Sequence, residues 1–318
     1  MNIRAFLSEE FDNYFSTLAI PTSPSSLYEP ISYFLNIGGK RLRPYALLLA
    51  AYSRNQDISQ ALPAAAAIEL FHNFTLIHDD VMDKSMIRRG FETIHEKYNL
   101  NTALLSGDAL LLLAYRQLLL SPVEYWPRII PIFNDTATQV CEGQQMDMDF
   151  EHAANITEKE YLQMIGLKTS VLIAAAMQMG AIIGGADVDE SLSYYHFAYH
   201  LGVAFQIQDD ILDCFGNEDL IGKKNGGDIS NNKKTILTIF ALRHEANREI
   251  LFGTYNNEKE KISTVKELYV SCGAYDYALD LRNSLLQKGM KYLQQMKLSN
   301  EIRPLFEQLV NQLIVRTF

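Results

Sequence analysis

The chain has 318 residues, 48% of them apolar, enough to bury a sizeable core. A net charge of -10 at pH 7 and a pI near 5.2 exclude a general nucleic-acid or anionic-membrane surface, since both need an excess of Lys and Arg. Cys141, Cys214 and Cys272 lie far apart without CxxC spacing, so they suggest neither a disulfide framework nor a zinc site and fit a reducing cytoplasm.

The N-terminus, MNIRAFLSEEFDNYF, does not read as a signal peptide. A first amphipathic helix precedes Pro21, Ser23, Pro24 and Ser25, and a second ends at Gly38-Gly39, which suit a helix C-terminus. The segment from Ala61 to Met82 predicts a long apolar helix with Pro63 in its first turn and Gly90 just past its end, after Arg88 and Arg89. Asn101 to Leu120, Ile130 to Asp149, Glu158 to Gly185 and Leu192 to Phe215 predict further helices, with caps at Asn101 and Thr157. The most apolar windows, Leu104 to Leu120 and Val171 to Ala186, fall short of a clean membrane span and read as buried helices, so no transmembrane segment is expected. Gly216 to Asn232 is the longest irregular stretch, and polar-surfaced helices follow from Lys234. Alternating strand patterns are scarce, so the expectation is an all-α bundle, one domain over residues 1 to 318, with long helices lining a central cavity.

Two carboxylate clusters stand out. Asp79, Asp80 and Asp83 in HDDVMD sit at i, i+1 and i+4, around one edge of a helix, and Asp209, Asp210 and Asp213 in QDDILD repeat the spacing. One such run is a common solvated helix face; two inside the apolar flanks FTLIH and VAFQI must face a polar cavity or carry a large desolvation cost. Carboxylates this close repel unless neutralised, and Mg²⁺, which prefers carboxylate and phosphate oxygens, is the natural neutraliser. Basic residues gather near both clusters: Lys40, Arg41 and Arg43 after Gly38-Gly39, Arg88 and Arg89 beyond the first, and Lys223, Lys224, Lys233 and Lys234 beyond the second. Forked Arg donors and compact Lys charges, together with Mg²⁺, can hold two diphosphates.

GGKRLRP (38 to 44), HDDVMDKSMIRRG (78 to 90), FQIQDDILD (205 to 213) and GKKNGGD (222 to 228), with GQQMD (143 to 147) and LKTS (167 to 170) between, resemble the polyprenyl synthetases, the trans-isoprenyl diphosphate synthases. The resemblance runs from about Gly38 to Thr235. It implies an enzyme that ionises an allylic diphosphate and adds isopentenyl diphosphate to it. On that resemblance Asp79, Asp80, Asp83, Asp209, Asp210 and Asp213 bind Mg²⁺, three ions per site, bridged to the allylic diphosphate. Lys40, Arg43, His72 and Arg89 hold isopentenyl diphosphate, while Arg88, Lys168, Lys223 and Lys233 contact the allylic diphosphate. Thr169 and Gln206 stabilise the allylic cation, and Gln144 and Asp147 support the diphosphate region. A homodimer is implied as well, with Leu110 to Leu120 as a candidate interface.

Phe74 lies five residues before Asp79, with Thr75 next to it and Phe71 one turn back on the same face. An aromatic at the position of Phe74 resembles short-chain members, so bulk there is expected to floor the elongation channel and give a C20 product, with C15 as the nearest alternative. A class I terpene cyclase has no need of GGKRLRP, and a non-catalytic subunit of a heteromeric synthase typically lacks one Asp motif or its basic companions.

Overall fold

The computed structural model describes residues 2 to 216 and 225 to 314. The all-α expectation holds: apart from one hairpin, β1 (Ile87–Arg88) with β2 (Phe91–Glu92), the regular structure of these residues is helical. The chain forms two compact units, residues 1 to 132 with 176 to 191, and residues 133 to 175 with 192 to 318.

The first unit opens with α1 (Ile3–Ser16), α2 (Ser25–Asn36), α3 (Leu42–Tyr52) and α4 (Leu62–Met82); α5 (Ile94–Lys97) and α6 (Leu100–Leu118) follow the hairpin. Helix α4 is its axis. Ala64 to Ala67 are wholly buried, and these small side chains let α4 be surrounded closely. Pro63 occupies the first turn, where its missing N–H costs nothing. The cap of α6 falls two residues earlier than expected: Asn99, not Asn101, accepts the Thr102 N–H at 2.8 Å. Leu110, Ala114 and Leu118 are buried within the protein, whereas Leu112, Leu119 and Leu120 are exposed, so the Leu110 to Leu120 segment has one inward and one outward face.

Onward run α7 (Trp126–His152), α8 (Glu158–Ile165), α9 (Val171–Ile183) and α10 (Val188–Phe215). Thr157 caps α8 as expected, in a reciprocal capping box with Glu160. The expected helix from Glu158 runs unbroken to Ile183, two residues short of Gly185, with Gly166–Ser170 wound as a wider π-helical turn within it. Close glycine approaches in the second unit accommodate that turn. A Cβ at Gly143 of α7 would lie 2.3 Å from the Lys168 backbone nitrogen, and one at Gly202 of α10 would lie 2.9 Å from Ser170. The core of this unit gathers Tyr161, Ile165, Val203, Ile207, Ile236 and Tyr269. Helices Ile236–Ala241, Glu258–Ser271, Ala274–Gln295 and Arg303–Ile314 complete it. The run Glu158–Ile183 is long and apolar enough to cross a membrane by composition, but 78% of its apolar window is buried in the protein, as in a core helix.

Candidate active site

In the first unit the aspartates sit where α4 stops. Asp79 and Asp80 lie on its last turn, and Asp83 is the C-terminal cap, its N–H bonded to the Asp79 carbonyl at 2.8 Å. The chain then turns back sharply. Arg89 (φ 53°) and Gly90 (φ 81°) take left-handed conformations between β1 and β2, the geometry of a tight two-residue hairpin. Gly90 therefore serves the hairpin turn instead of ending the helix. Thr93 pins the base through its hydroxyl to the Ser85 carbonyl at 2.8 Å.

That reversal lays Arg88 across the aspartates. Its Nε donates to Asp80 Oδ1 at 2.7 Å and Oδ2 at 2.8 Å, and Nη2 reaches Asp79 Oδ2 at 3.4 Å. Asp80 is only 1% exposed, so burial raises its carboxyl pKa while the Arg88 hydrogen bonds act against that rise. Arg88, expected from the family resemblance to meet a diphosphate, is thus also an aspartate partner.

A basic cluster lies in the same unit. Arg43 Nη1 donates to His72 Nε2 at 3.0 Å, which makes that nitrogen an acceptor and places the ring proton on Nδ1. Burial, then Arg43, Arg89, Arg88 and Arg41, hold the His72 pKa well below 6.5, so the ring is neutral at physiological pH. Arg89 rests on Gly39, where a Cβ would come within 2.8 Å of Nη1; a side chain there would push the guanidinium away. Lys40 is exposed on the same loop.

Glu69, which carries no role from the sequence motifs, joins this cluster. Buried at 2% exposure, it forms an ion pair with Arg41 and accepts from Asn73 Nδ2 at 3.2 Å. Its signal was present as a lone carboxylate in the apolar run AAAAIELF. The structure brings Arg43, His72 and Arg89 together as expected and adds Glu69 as the buried counter-charge. Phe74 is buried with its ring 5.5 Å from that of Phe71, which is itself a core residue at 1% exposure. Thr75 turns its hydroxyl back to the His72 carbonyl at 2.8 Å.

In the second unit α10 carries Gln206, Asp209, Asp210 and Asp213. Asp210 is 3% exposed, accepts the Tyr161 hydroxyl and receives Gln206 Nε2 at 3.4 Å. The π-helical turn presents Lys168 to Asp147 at 2.6 Å and Thr169 Oγ1 to Gln206 Oε1 at 3.3 Å. Asp213 accepts the backbone N–H of Asp228 at 2.9 Å, and Lys233 stands 3.8 Å from the Asp228 carboxylate. Burial, then Asp228, push the Asp210 carboxyl up to about 7. Asp228 and Tyr161 were not assigned roles from sequence, although Asp228 lies in GKKNGGD. Lys223 falls outside the described residues.

The donor set suits a hard divalent cation bound with an anion. Asp80 and Asp210 are buried carboxylates whose local environment disfavours their charge, a penalty that a bound cation removes. Among the described residues no three His, Cys, Asp or Glu side chains close into a cage of their own. Mg²⁺ does not require one, since it usually keeps water and phosphate oxygens as ligands beside one or two carboxylates. Buried N–H groups point to the anion: Arg43 Nε in the first unit and Gln144 Nε2 in the second have no acceptor among the described residues.

A family model described as Polyprenyl synthetase matches residues 24 to 272. A geranylgeranyl diphosphate synthase of Methanosarcina mazei is 38% identical over 98% of this chain and 96% of its own length. A geranylfarnesyl diphosphate synthase of Natronomonas pharaonis is 37% identical over 93% and 91% respectively. A crystal structure of a geranylgeranyl pyrophosphate synthase superposes with a TM-score of 0.94 at 39% identity, covering 100% of both chains. With its paired aspartate runs and basic cluster in place, the chain belongs to the polyprenyl synthetase family, whose members condense isopentenyl diphosphate with allylic diphosphates.

Proposed function

We propose that the chain is a Mg²⁺-dependent geranylgeranyl diphosphate synthase, extending dimethylallyl, geranyl and farnesyl diphosphates with isopentenyl diphosphate to the C20 product. The observation that carries the length is Phe74, a buried aromatic five residues before Asp79. Its bulk floors the pocket that receives the growing chain. The M. mazei relative is named for the same product, whereas the N. pharaonis relative is named for the next longer one.

Asp79, Asp80 and Asp83 in the first unit, and Asp209, Asp210 and Asp213 in the second, would hold the Mg²⁺ ions. Bound there, Mg²⁺ draws negative charge from the departing diphosphate. Arg43, His72, Arg89 and Lys40 bind isopentenyl diphosphate; neutral His72 keeps an Nδ1–H for it while Nε2 accepts from Arg43. Arg88, Lys168, Lys223 and Lys233 would contact the allylic diphosphate, and Arg88 also hydrogen-bonds Asp80 and Asp79. Thr169 and Gln206, joined at 3.3 Å, aim oxygen dipoles at the developing allylic cation. Tyr161 fixes the Asp210 carboxylate through its hydroxyl.

We also read residues 1 to 318 as one domain, because the limits of the two units fall inside α7, α9 and α10 instead of in linkers. A homodimer is supported by the outward leucines of α6, Leu105 at 60% and Leu112 at 69% exposure. The dispersed free cysteines support a reducing cytoplasm.

The test is incubation with Mg²⁺, labelled isopentenyl diphosphate and each allylic primer, with chain-length analysis for wild type and Phe74→Ala. C20 from wild type and longer products from the variant are expected. A C25 wild-type product would overturn the length. Turnover surviving exhaustive chelation would overturn the metal dependence.

A further inference from the structure

His78 belongs neither to the basic cluster nor to the carboxylate set, yet it is held on several sides. Its imidazole stands edge-on to the Phe74 ring, centroids 4.8 Å apart at 68°. The two residues are one turn apart on α4, where the later side chain leans back over the earlier one. The same imidazole enters α6 at Gly107. A Cβ at position 107 would lie 2.2 Å from His78 Nε2 and 2.4 Å from Cδ2, so only glycine admits the ring. Nε2 lies 3.1 Å from the Leu104 carbonyl, to which its N–H donates, and 3.8 Å from the Asp108 carboxylate. Phe74 is backed in turn by Phe71 at 5.5 Å. In a packed interior the ring of Phe74 cannot turn aside unless the volume filled by His78 is released.

We propose that His78, keyed into the glycine notch at Gly107, is a positioning residue for product length: it fixes the orientation of Phe74 and with it the depth of the pocket. The inference rests on the reading of Phe74 as the pocket floor. It makes α6, through Gly107, part of the length control.

The test is the ratio of products, which is read independently of total rate, in His78→Ala, Gly107→Ala, the double variant and Phe74→Ala. Removing the imidazole lets Phe74 swing aside, and the ratio of longer to wild-type product should rise about tenfold, the discrimination that about one methylene of pocket depth confers. Gly107→Ala presses the imidazole onto Phe74 and should shift the ratio toward shorter product. In the His78→Ala background that second substitution should change nothing. If Phe74→Ala lengthens the product while His78→Ala leaves the ratio unchanged, the strut is refuted and the floor stands. If Phe74→Ala itself leaves the length unchanged, the floor fails and the strut with it. An equal effect of Gly107→Ala with and without His78 would also overturn the proposal. Should Gly107→Ala not fold, His78→Ala decides alone, since it only removes volume.

Discussion

Tyr161, on α8, donates its hydroxyl to Oδ2 of Asp210, on α10, within the buried core of the second unit. The two are 49 residues apart in sequence, and burial together with the Asp210 charge raises the phenol pKa well above 10, so the hydroxyl stays protonated. A protonated donor steadies the carboxylate form of Asp210. Tyr161→Phe should therefore weaken Mg²⁺, raising its half-saturating concentration about tenfold, the effect typical of lost partners behind a metal ligand. Mn²⁺ or Mg²⁺ titration by calorimetry checks this apart from turnover, and unchanged metal affinity would reduce Tyr161 to a packing residue.

Asp210 also makes the metal-free protein sensitive to pH. Its carboxyl is raised from 3.8 to about 7, so the folded form binds the proton more tightly than the unfolded form. Its stabilising contribution is therefore full below about pH 4 and is lost as pH rises toward about 7. Asp210→Asn keeps the group neutral at every pH. It should flatten that decline and raise the metal-free Tm at pH 8, by about 2–4 °C for each kcal/mol recovered, while Mg²⁺-dependent turnover is lost. Thermal melts across pH in chelator distinguish the two proteins.

Arg88 tests an exchange between aspartates and phosphate. It hydrogen-bonds Asp80 through Nε at 2.7 Å. Arg88→Ala should destabilise the metal-free protein by about 1.5–3 kcal/mol, the loss expected when a hydrogen bond to a buried charge is removed. Saturating Mg²⁺ with inorganic pyrophosphate should recover much of that loss, because the cation then compensates Asp80. Arg88→Lys keeps the charge without the fork and should fall between. Equal destabilisation in both conditions would mean that Arg88 never leaves the aspartates.

The carboxylate runs and GGKRLRP were legible because their chemistry is written in local spacing, and the long helices because apolar residues recur at helical period. The hairpin was not legible: each strand has two residues, and its turn places Arg89 as well as Gly90 in the left-handed region, at φ 53° and 81°. The π-helical turn at Gly166–Ser170 inserts one residue into a helical run, which the pattern of apolar positions does not register. Tyr161 and Glu69 escaped for another reason. Each acts through a partner: the lone carboxylate in AAAAIELF marks Glu69 as unusual, but neither it nor Tyr161 in EKEYLQMI shows what it meets after folding.

Glu69 offers the sharpest separation of folding from binding. Its buried carboxylate is paired with Arg41, and its charge opposes the lowering of the Arg43 and Arg89 pKa values that burial causes, so it is the counter-charge of the basic cluster. Glu69→Gln preserves shape and most hydrogen bonding but leaves three guanidinium groups facing one another. The variant should lose about 3 kcal/mol of stability, as when one member of a buried pair is removed. The same change raises the positive potential of the site, so inorganic pyrophosphate should raise the Tm of Glu69→Gln more than that of wild type, and added salt should shrink the difference. Thermal melts with and without pyrophosphate decide the point. If pyrophosphate stabilises the variant less than wild type, Glu69 orients the arginines for the anion, and its role is geometric instead of electrostatic.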